Sequence, residues 1–293
     1  MHDAAWPSFT AAVAAFAAGD HGRAAEAARR ASAADPASLL AAEAAAYLER
    51  LATGGGEGVY AGGEAFGAFI RGGGNLPLYA AVSAALANAY TPYRALALLD
   101  VGVGDGMALL PALTPGVARV DLVEPSAPML GRATAALAER GVPFRAFPMG
   151  VLQFAERARA RWELAQATFS LQSLTPEDRR AALAWLRAHA DRLLVAEFDA
   201  PALAAGLDPA RVAHIAARYE LGLAEYAGDG ALVAQGFLMP VFFGNFDPTA
   251  ARTNYEQPIA AWEDDLRAAG FARVARRHLF DYWWAPAYLL DAS

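Results

Sequence analysis

The stretch Leu96-Ala-Leu-Leu-Asp-Val-Gly-Val-Gly-Asp-Gly-Met107 decides the fold of this chain. Its apolar first half is typical of a strand that is buried on both faces, as in a parallel sheet. Gly102, Gly104 and Gly106 then permit a sharp turn and a close approach of the backbone to a ligand, because glycine has no Cβ. Residues 107–113 predict a helix whose first N–H groups face that ligand, and Pro111 within them predicts that the helix is short or kinked.

A second acid follows at the end of the next apolar run. Val120-Asp-Leu-Val-Glu124 predicts another strand, and a carboxylate at its end can accept hydrogen bonds from both hydroxyls of a ribose. Residues 125–133 predict a turn that runs into a helix. The glycine spacing departs from the dinucleotide pattern G-x-G-x-x-G/A, because Met107 occupies the third position of that pattern.

The spacing G-x-G-x-G after Leu-Leu-Asp resembles the first motif of the class I S-adenosylmethionine-dependent methyltransferases. The acid Glu124, the short turn and the pair Met129-Leu130 resemble the next part of that family's pattern. Further segments that resemble the family's later strands and its last helix are Trp162–Leu174, Arg192–Asp199 and Trp262–Phe271. The resemblance covers residues 76–199 and 251–293. A domain of the same fold that binds no cofactor is the alternative.

The resemblance implies an α/β fold: a Rossmann-like, doubly wound and mostly parallel sheet with one antiparallel strand near the C-terminus. It implies S-adenosyl-L-methionine as the cofactor. The residues expected to bind it in this domain are Tyr79, Asp100, Gly102, Gly104, Gly106, Glu124, Pro125, Met129, Met149, Gly150 and Phe169. The family often places an acid near residue 149 to bind the adenine amine. This chain has none before Glu156, so we expect Met149 to pack on the ring.

Composition excludes several kinds of chemistry. The chain has no cysteine and no lysine, which excludes disulfides, thiolate metal sites, Schiff-base catalysis and a lysine-containing phosphate loop. Its net charge of −7 argues against a nucleic-acid substrate, because phosphate neutralisation needs a basic face. No apolar stretch is typical of a membrane span, and the first residues are not typical of a signal peptide, so we expect a cytoplasmic protein.

Alanine-rich stretches fill the first fifty residues. Asp, Gly and Pro separate three helical segments, 9–18, 22–34 and 36–52. Residues 15–36 resemble one tetratricopeptide-type hairpin, but no second copy follows at the expected period. We therefore predict a helical cap, or a homodimer contact through these helices, in preference to a peptide-binding array.

A second glycine cluster occupies residues 53–75. A flexible linker is one interpretation, but aromatic residues such as Tyr60, Phe66 and Phe69 favour a loop that folds over the cofactor. Arg71 is expected to pair with the methionyl carboxylate. Asn75 and Tyr79 are expected to donate further hydrogen bonds to the cofactor. The predicted organisation is a cap and lid in 1–75 and a methyltransferase domain in 76–293, which contains a substrate-lid insertion at about 200–250.

Two aromatic-rich segments are candidates for the acceptor site. The insertion contains a predicted helix over 208–226, capped by Asp208, followed by residues 236–246, which include Phe243. That segment fits an acceptor lid or a buried edge of the core equally well. Near the C-terminus, a strand that contains Trp283 and Trp284 would point them to opposite faces, and Pro286 would suit an edge or a bulge. Residues expected to contact the substrate are Ser173, Phe243, Tyr282 and Trp284.

Candidates for catalysis are few. The five histidines are scattered with no metal-ligand spacing, so no metal site is predicted. His214 and His278 are the candidate general bases, because imidazole titrates near neutrality. Gln172 follows the fourth strand and Glu197 lies at the end of the fifth strand, where the family holds its acceptor. Asp199, next to them, is expected to bond loop amides.

These patterns together predict an enzyme that transfers a methyl group from S-adenosylmethionine to a small molecule, an amine-bearing or aromatic metabolite. The transfer is an in-line displacement, so the protein must hold the nucleophile, methyl carbon and sulfur collinear. Two alternatives stay open: a peptide or protein side-chain methyltransferase, and a non-catalytic protein that binds S-adenosylmethionine and regulates a partner.

Overall fold

Apolar runs between residues 96 and 292 form one seven-stranded sheet. The computed structural model describes residues 1–54, 62–228 and 231–293. The strands are β1 (Leu96–Val101), β2 (Val117–Val123), β3 (Phe144–Phe147), β4 (Trp162–Thr168), β5 (Ala190–Phe198), β6 (Val274–Asp281) and β7 (Pro286–Ala292). Their order is β3-β2-β1-β4-β5-β7-β6. Strands β1 to β5 are parallel, and β7 is antiparallel to both of its neighbours. The predicted fold class is therefore confirmed.

Helices alternate with the parallel strands and also form most of the N-terminal segment and of the insertion. They are α1 (Trp6–Ala17), α2 (His21–Ala34), α3 (Leu39–Ala52), α4 (Gly62–Ile70), α5 (Asn75–Tyr90), α6 (Leu109–Ala112), α7 (Ala127–Glu139), α8 (Val151–Arg157), α9 (Pro176–His189), α10 (Pro209–Glu225), α11 (Ala231–Val233), α12 (Met239–Gly244) and α13 (Ile259–Ala268). The helix predicted after the first glycine loop is α6, and with four residues it is as short as Pro111 predicts.

The chain divides into two compact units. The first contains Met1–Leu76 and Leu203–Ala251, and the second contains Pro77–Ala202 and Arg252–Ser293. The sheet belongs to the second unit. The insertion predicted at about 200–250 thus shares a unit with the N-terminal helices. Its role as a substrate lid stays a prediction, as does the role of the N-terminal segment as a cap.

The second unit is held by a large apolar core on the sheet. Leu99, Leu193 and Leu183 are fully buried within it, and α13 adds Trp262. The central strands therefore present apolar residues on both faces, as strands flanked by helices must. Trp162 is also buried, and its indole N–H donates to the Asp121 carboxylate at 2.7 Å. That bond satisfies a polar group that would otherwise be costly in the core.

Short alanine-rich helices build the first unit, in which α1 packs on α2 and α2 on α3. Asp20 and Ser38 cap α2 and α3 by accepting hydrogen bonds from backbone N–H groups three residues later. Asp208 caps α10 in the same way, with Pro209 as the first helical residue, as predicted. Glu220 of α10 accepts the Leu39 N–H at 2.7 Å and so joins α10 to the start of α3.

The described part of the glycine-rich segment contains a helix. Residues 55–61, which include Tyr60, lie outside the described part of the chain. Residues 62–70 form the helix α4, although their glycine content predicts a loop. Phe69 is buried against Phe237, with ring centroids 4.3 Å apart, and Phe66 lies 5.5 Å from the same ring. Burial of these aromatic rings outweighs the cost of about 1 kcal/mol for each helical glycine.

The C-terminal hairpin corrects a second prediction. Trp283 and Trp284 lie in the connection between β6 and β7, not in a strand, because an antiparallel pair needs a reversal there. Pro286 begins β7, which is an interior strand and not an edge. Proline is tolerated as the first residue of a strand, where its missing N–H does not interrupt the ladder.

Candidate functional site

The glycine loop after β1 lies at the carboxyl edge of the sheet. Gly102, Gly104 and Gly106 all have positive φ, at 72°, 58° and 87°. A Cβ at Gly102 would lie 2.3 Å from the Cβ of Ser170, and one at Gly106 would lie 2.9 Å from the Leu110 side chain. A Cβ at Gly104 would meet no described atom within 4 Å. Two glycines are therefore required by close packing, and Gly104 faces open space.

Glu124 connects this loop to the turn before α7. Its side chain is buried, and its two oxygens accept the N–H groups of Gly104 at 2.9 Å and Ser126 at 2.8 Å. Each carboxylate oxygen has a second lone pair, so a further donor can still bind. Pro125 is exposed in the same turn, and Met129 is partly exposed in α7. The structure thus brings Glu124 against Gly104, as their predicted common role requires.

Asp100 lies in the interior of the sheet. One oxygen accepts the side-chain amide of Gln166 at 2.6 Å, and the other has no hydrogen-bond partner in the described residues. Tyr90 donates its hydroxyl to the other end of the same Gln166 side chain. Burial raises the pKa of Asp100 to about 7, and the charge of Glu124 adds to the rise, against the bond from Gln166. A cationic ligand group would relieve this penalty.

The predicted adenine site follows β3. Met149 and Gly150 are partly exposed, and Gly150 precedes the first residue of α8. The Met149 N–H donates back to the Phe147 carbonyl at 2.8 Å, which turns the chain at the end of the strand. Their contact with adenine stays a prediction.

Phe169, directly after β4, has a strained backbone. Its φ of 49° is the only positive value among non-glycine residues of the described chain. An aromatic residue in this region costs about 1–3 kcal/mol, so the surrounding bonds must hold it there. The Phe169 ring stacks on Phe198 with centroids 4.4 Å apart and meets the edge of Tyr79 at 6.0 Å. The glycine spacing in the sequence does not predict the positive φ of Phe169.

Gln172 and Glu197 meet at the ends of β4 and β5. The Gln172 backbone N–H donates to the Glu197 carboxyl at 3.2 Å, and the Gln172 amide donates to the Phe169 carbonyl at 3.2 Å. Ser173 is exposed, and its hydroxyl donates to the Ser170 carbonyl at 2.6 Å. Asp199 accepts the Ile259 N–H at 2.8 Å, which agrees with its expected structural role.

Glu197 has a second acid as its neighbour. Glu197 is fully buried, and burial together with the charge of Glu256 holds its pKa well above the usual range. Glu256 is partly exposed, and its carboxyl accepts the Trp284 indole N–H at 2.9 Å. Glu256 was not predicted, because nothing in the sequence of residues 252–258 indicates their position at this edge. Tyr282 is buried with its ring 5.5 Å from Phe198.

The two histidine candidates lie apart from this group. His278 is exposed on the edge strand β6 and pairs with Asp281 at 2.8 Å. The strand β7 separates β6 from β5, and His278 and Glu197 both pair in register with Tyr288, so two strand spacings, about 10 Å, lie between their backbones. His214 belongs to α10 of the first unit, where burial and the charge of Arg218 lower its pKa. The structure therefore gives neither histidine a place beside Glu197 within the second unit.

Three further predicted residues belong to the first unit. Phe243 has no exposed surface and packs between Phe16 at 4.8 Å and Tyr47 at 5.3 Å, so the core alternative describes it better than a substrate contact. Asn75 is buried, and its amide donates to the Phe69 carbonyl and the Tyr226 hydroxyl. Arg71 is exposed. The cofactor contacts of Asn75 and Arg71 stay predictions.

Tyr79 is partly buried in the second unit, and burial raises its pKa to about 12. Its phenol therefore stays protonated and can act as a donor.

Within the described ranges, no group of three acidic or histidine side chains has a geometry that could hold a metal ion. No helix that the structure describes is long and apolar enough to cross a membrane.

No family model matches the sequence, and no curated protein matches it. Among solved structures, the chain is similar in fold to S-adenosylmethionine-dependent methyltransferases. Magnesium protoporphyrin IX methyltransferase ChlM from Synechocystis PCC 6803, with bound SAH, is 19% identical over 74% of this chain and 83% of that chain, with a TM-score of 0.49. The methyltransferase SibL in its apo form is 20% identical over 96% of this chain and 76% of that chain, with a TM-score of 0.49.

Proposed function

We propose that this chain is an enzyme that transfers a methyl group from S-adenosylmethionine to a small-molecule acceptor. One observation carries the proposal: Gly104 faces open space beside Glu124, at the carboxyl edge of a parallel sheet. Ligands of open α/β sheets bind at this edge, beside the point where the strand order reverses. Here the order reverses between β1 and β4, directly at the glycine loop.

The residues present fit the cofactor. Gly104 leaves room for a ligand that a Cβ would exclude, and Glu124 has lone pairs left for the ribose hydroxyls. The unpartnered oxygen of Asp100 suits a cationic donor, such as the methionyl ammonium. Met149 and Gly150 would hold the adenine. When bound, the cofactor supplies a methyl carbon that its sulfonium already activates for displacement.

The acceptor would lie on the neighbouring ends of β4 and β5. Phe169, Phe198 and Tyr282 form a continuous aromatic row there, which suits an organic acceptor that is held by apolar contact. The strained backbone of Phe169 fixes the row relative to the loop after β1, because the Ser170 hydroxyl donates to the Val101 carbonyl at 2.7 Å. The protein's contribution to the reaction is to align the acceptor atom with the methyl carbon and to exclude water.

Of the four residues predicted to be catalytic, Gln172 and Glu197 are the two that this proposal retains. They meet at the edge that faces the acceptor, whereas His278 is exposed on the edge strand β6 and two strand spacings away from Glu197. Burial holds the pKa of Glu197 well above the ordinary value, which favours the protonated form of its carboxyl group.

The experiment compares Gly104→Ala with Gly141→Ala. Both glycines have positive φ, 58° and 66°, and neither has a described atom within 4 Å of the position of its Cβ. Each alanine should therefore cost about 1–2 kcal/mol of stability from backbone strain. Only the first would enter the space assigned to the cofactor.

We expect Gly104→Ala to weaken S-adenosylhomocysteine binding about 10- to 100-fold in isothermal titration calorimetry, since overpacking costs about 1–3 kcal/mol. Gly141→Ala should bind like the unaltered protein. Equal affinities in the two variants would refute the assignment of the loop. Tighter binding of NAD than of the methyl donor would refute the cofactor.

A further inference from the structure

Glu256 lies in an irregular segment that is unusually well fixed. Residues 252–258 contain no helix or strand, yet Arg179 of α9 holds both neighbours of Glu256. Arg179 is 1% exposed. It donates to the Tyr255 carbonyl at 3.0 Å and to the Gln257 side chain at 2.6 Å. The position of Glu256 is therefore set by one buried cation that bonds to the residue on each side of it.

The same segment is tied to the carboxyl edge of the sheet. The Tyr255 N–H donates to the Gln172 carbonyl at 2.7 Å, next to the exit of β4. The Ile259 N–H donates to Asp199 at 2.8 Å, at the exit of β5. Burial of a guanidinium carries a desolvation cost, so it is weak as a device for stability alone. Its geometric effect is to hold the segment that carries Glu256 at the carboxyl edge of the sheet.

Two side chains at the ends of β4 and β5 have an acceptor oxygen without a partner in the described chain. Glu197, whose pKa the charge of Glu256 raises, is fully buried and has one oxygen without a partner in the described chain. Gln172 likewise keeps its side-chain oxygen without a partner among those residues. Trp284 donates its indole N–H to Glu256, so its ring lies beside the carboxyl. Asn254 also bonds to Glu256.

The charged groups that face this pair are few. The charge of Glu256 raises the pKa of Glu197, and the charge of Arg179 lowers it. Arg179 already donates hydrogen bonds to Asp265, at 3.2 Å, and to Tyr255 and Gln257. Burial raises the pKa values of both carboxyl groups, which marks a shortage of positive charge at this place. A ligand with several N–H donors and a positive charge would satisfy these acceptors together, whereas a hydroxyl brings one donor.

We propose that Glu256 binds a protonated amine of the methyl acceptor, with the Trp284 ring beside the cation and Glu197 as the second carboxyl. The inference rests on the proposed methyl transfer and assigns its acceptor class, an aliphatic amine that carries an aromatic group. An ammonium against an aromatic face and a carboxylate gains both a cation–π contact and a charge-assisted hydrogen bond.

The pair also provides a route for the proton. The ammonium gives one proton to the carboxylate of Glu256, which leaves a neutral nitrogen with a lone pair. That lone pair forms the bond to the methyl carbon while the methyl–sulfur bond breaks and its electrons stay on sulfur. The products are a methylated ammonium ion, an uncharged thioether and a protonated carboxyl group, so charge and atoms balance.

The test measures binding without turnover. We would titrate 2-phenylethylamine and its uncharged counterpart 2-phenylethanol into the protein saturated with S-adenosylhomocysteine, and repeat the comparison with tryptamine and indole-3-ethanol. The variant is Glu256→Gln, which keeps the shape of the side chain. The control is Glu139→Gln, at an exposed site at the end of α7.

We expect each amine to bind about 10- to 100-fold more tightly than its alcohol, and Glu256→Gln to remove that preference. Glu139→Gln should keep it, and both variants should retain S-adenosylhomocysteine affinity. No preference in either pair, including no binding of any probe, overturns the inference, and so does a preference that survives Glu256→Gln. Failure to bind S-adenosylhomocysteine would instead refute the proposed function, so the two outcomes are distinct.

Discussion

Gly102 offers the sharpest test of how the loop after β1 is packed. Its φ is 72°, and a Cβ there would lie 2.3 Å from the Cβ of Ser170 and 2.8 Å from its hydroxyl oxygen. The loops after β1 and β4 therefore touch at a point where only glycine fits. Gly102→Ala should separate the loops and destabilise the second unit.

The expected cost has two parts. An L-residue at positive φ costs about 1–2 kcal/mol, and overpacking by one methyl group costs about 1–3 kcal/mol. Gly102→Ala should therefore lower the free energy of unfolding by about 2–5 kcal/mol. Gly141→Ala has a similar φ of 66° and no described atom within 4 Å, so it should cost only the first part.

Urea unfolding followed by circular dichroism measures both variants. A double-mutant cycle with Ser170→Gly isolates the clash, because that substitution removes the Cβ that alanine would meet. We expect the pair Gly102→Ala and Ser170→Gly to cost less than the sum of the single changes, by about 1–3 kcal/mol. Additive costs, or a loss at Gly102 no larger than at Gly141, would refute this explanation of the glycine.

Two further predictions concern buried charges. Because burial raises the pKa of Asp100 to about 7, the folded protein keeps a proton that the unfolded chain releases above about pH 4, so stability falls as pH rises from 4 to 7. Asp100→Asn should raise the free energy of unfolding by about 2–4 kcal/mol at pH 8 and change it little at pH 4, and unfolding curves that shift equally at both values would contradict this. Arg179→Lys keeps the charge but not the planar guanidinium, so it should lower the free energy of unfolding by about 3 kcal/mol and weaken the preference of Glu256 for amines. The exposed Arg180→Lys is the control and should change neither.

Local patterns predicted the sheet well because they act over a few residues. The run from Leu96 to Val101 is apolar on both faces, and positive φ at Gly102 and Gly104 follows directly from the need to turn and approach. The bond from Gly104 to Glu124 joins two motifs twenty residues apart, and the spacing of the motifs already indicated their meeting.

Other features depend on tertiary contacts and were not predicted. Residues 62–70 contain enough glycine to predict a loop. They are helical instead, because Phe66 and Phe69 pack against Phe237 of the insertion. The strain at Phe169 likewise arises where two strand ends are held together, since its N–H donates to the Ala196 carbonyl of β5 at 2.9 Å. No residue beside Phe169 in the sequence encodes that partner.

Glu256 was missed for the same reason, and its case shows where such a residue can be found. In the sequence it is one acid in a polar stretch with no period or spacing. Its surroundings differ: the neighbours Tyr255 and Gln257 are both bound by an arginine that is 1% exposed. A buried guanidinium whose donors serve an irregular segment gives little net stability, because its desolvation offsets its hydrogen bonds. The arrangement is explained once the carboxyl group between those neighbours has a ligand to bind, and the amine comparison tests that step directly.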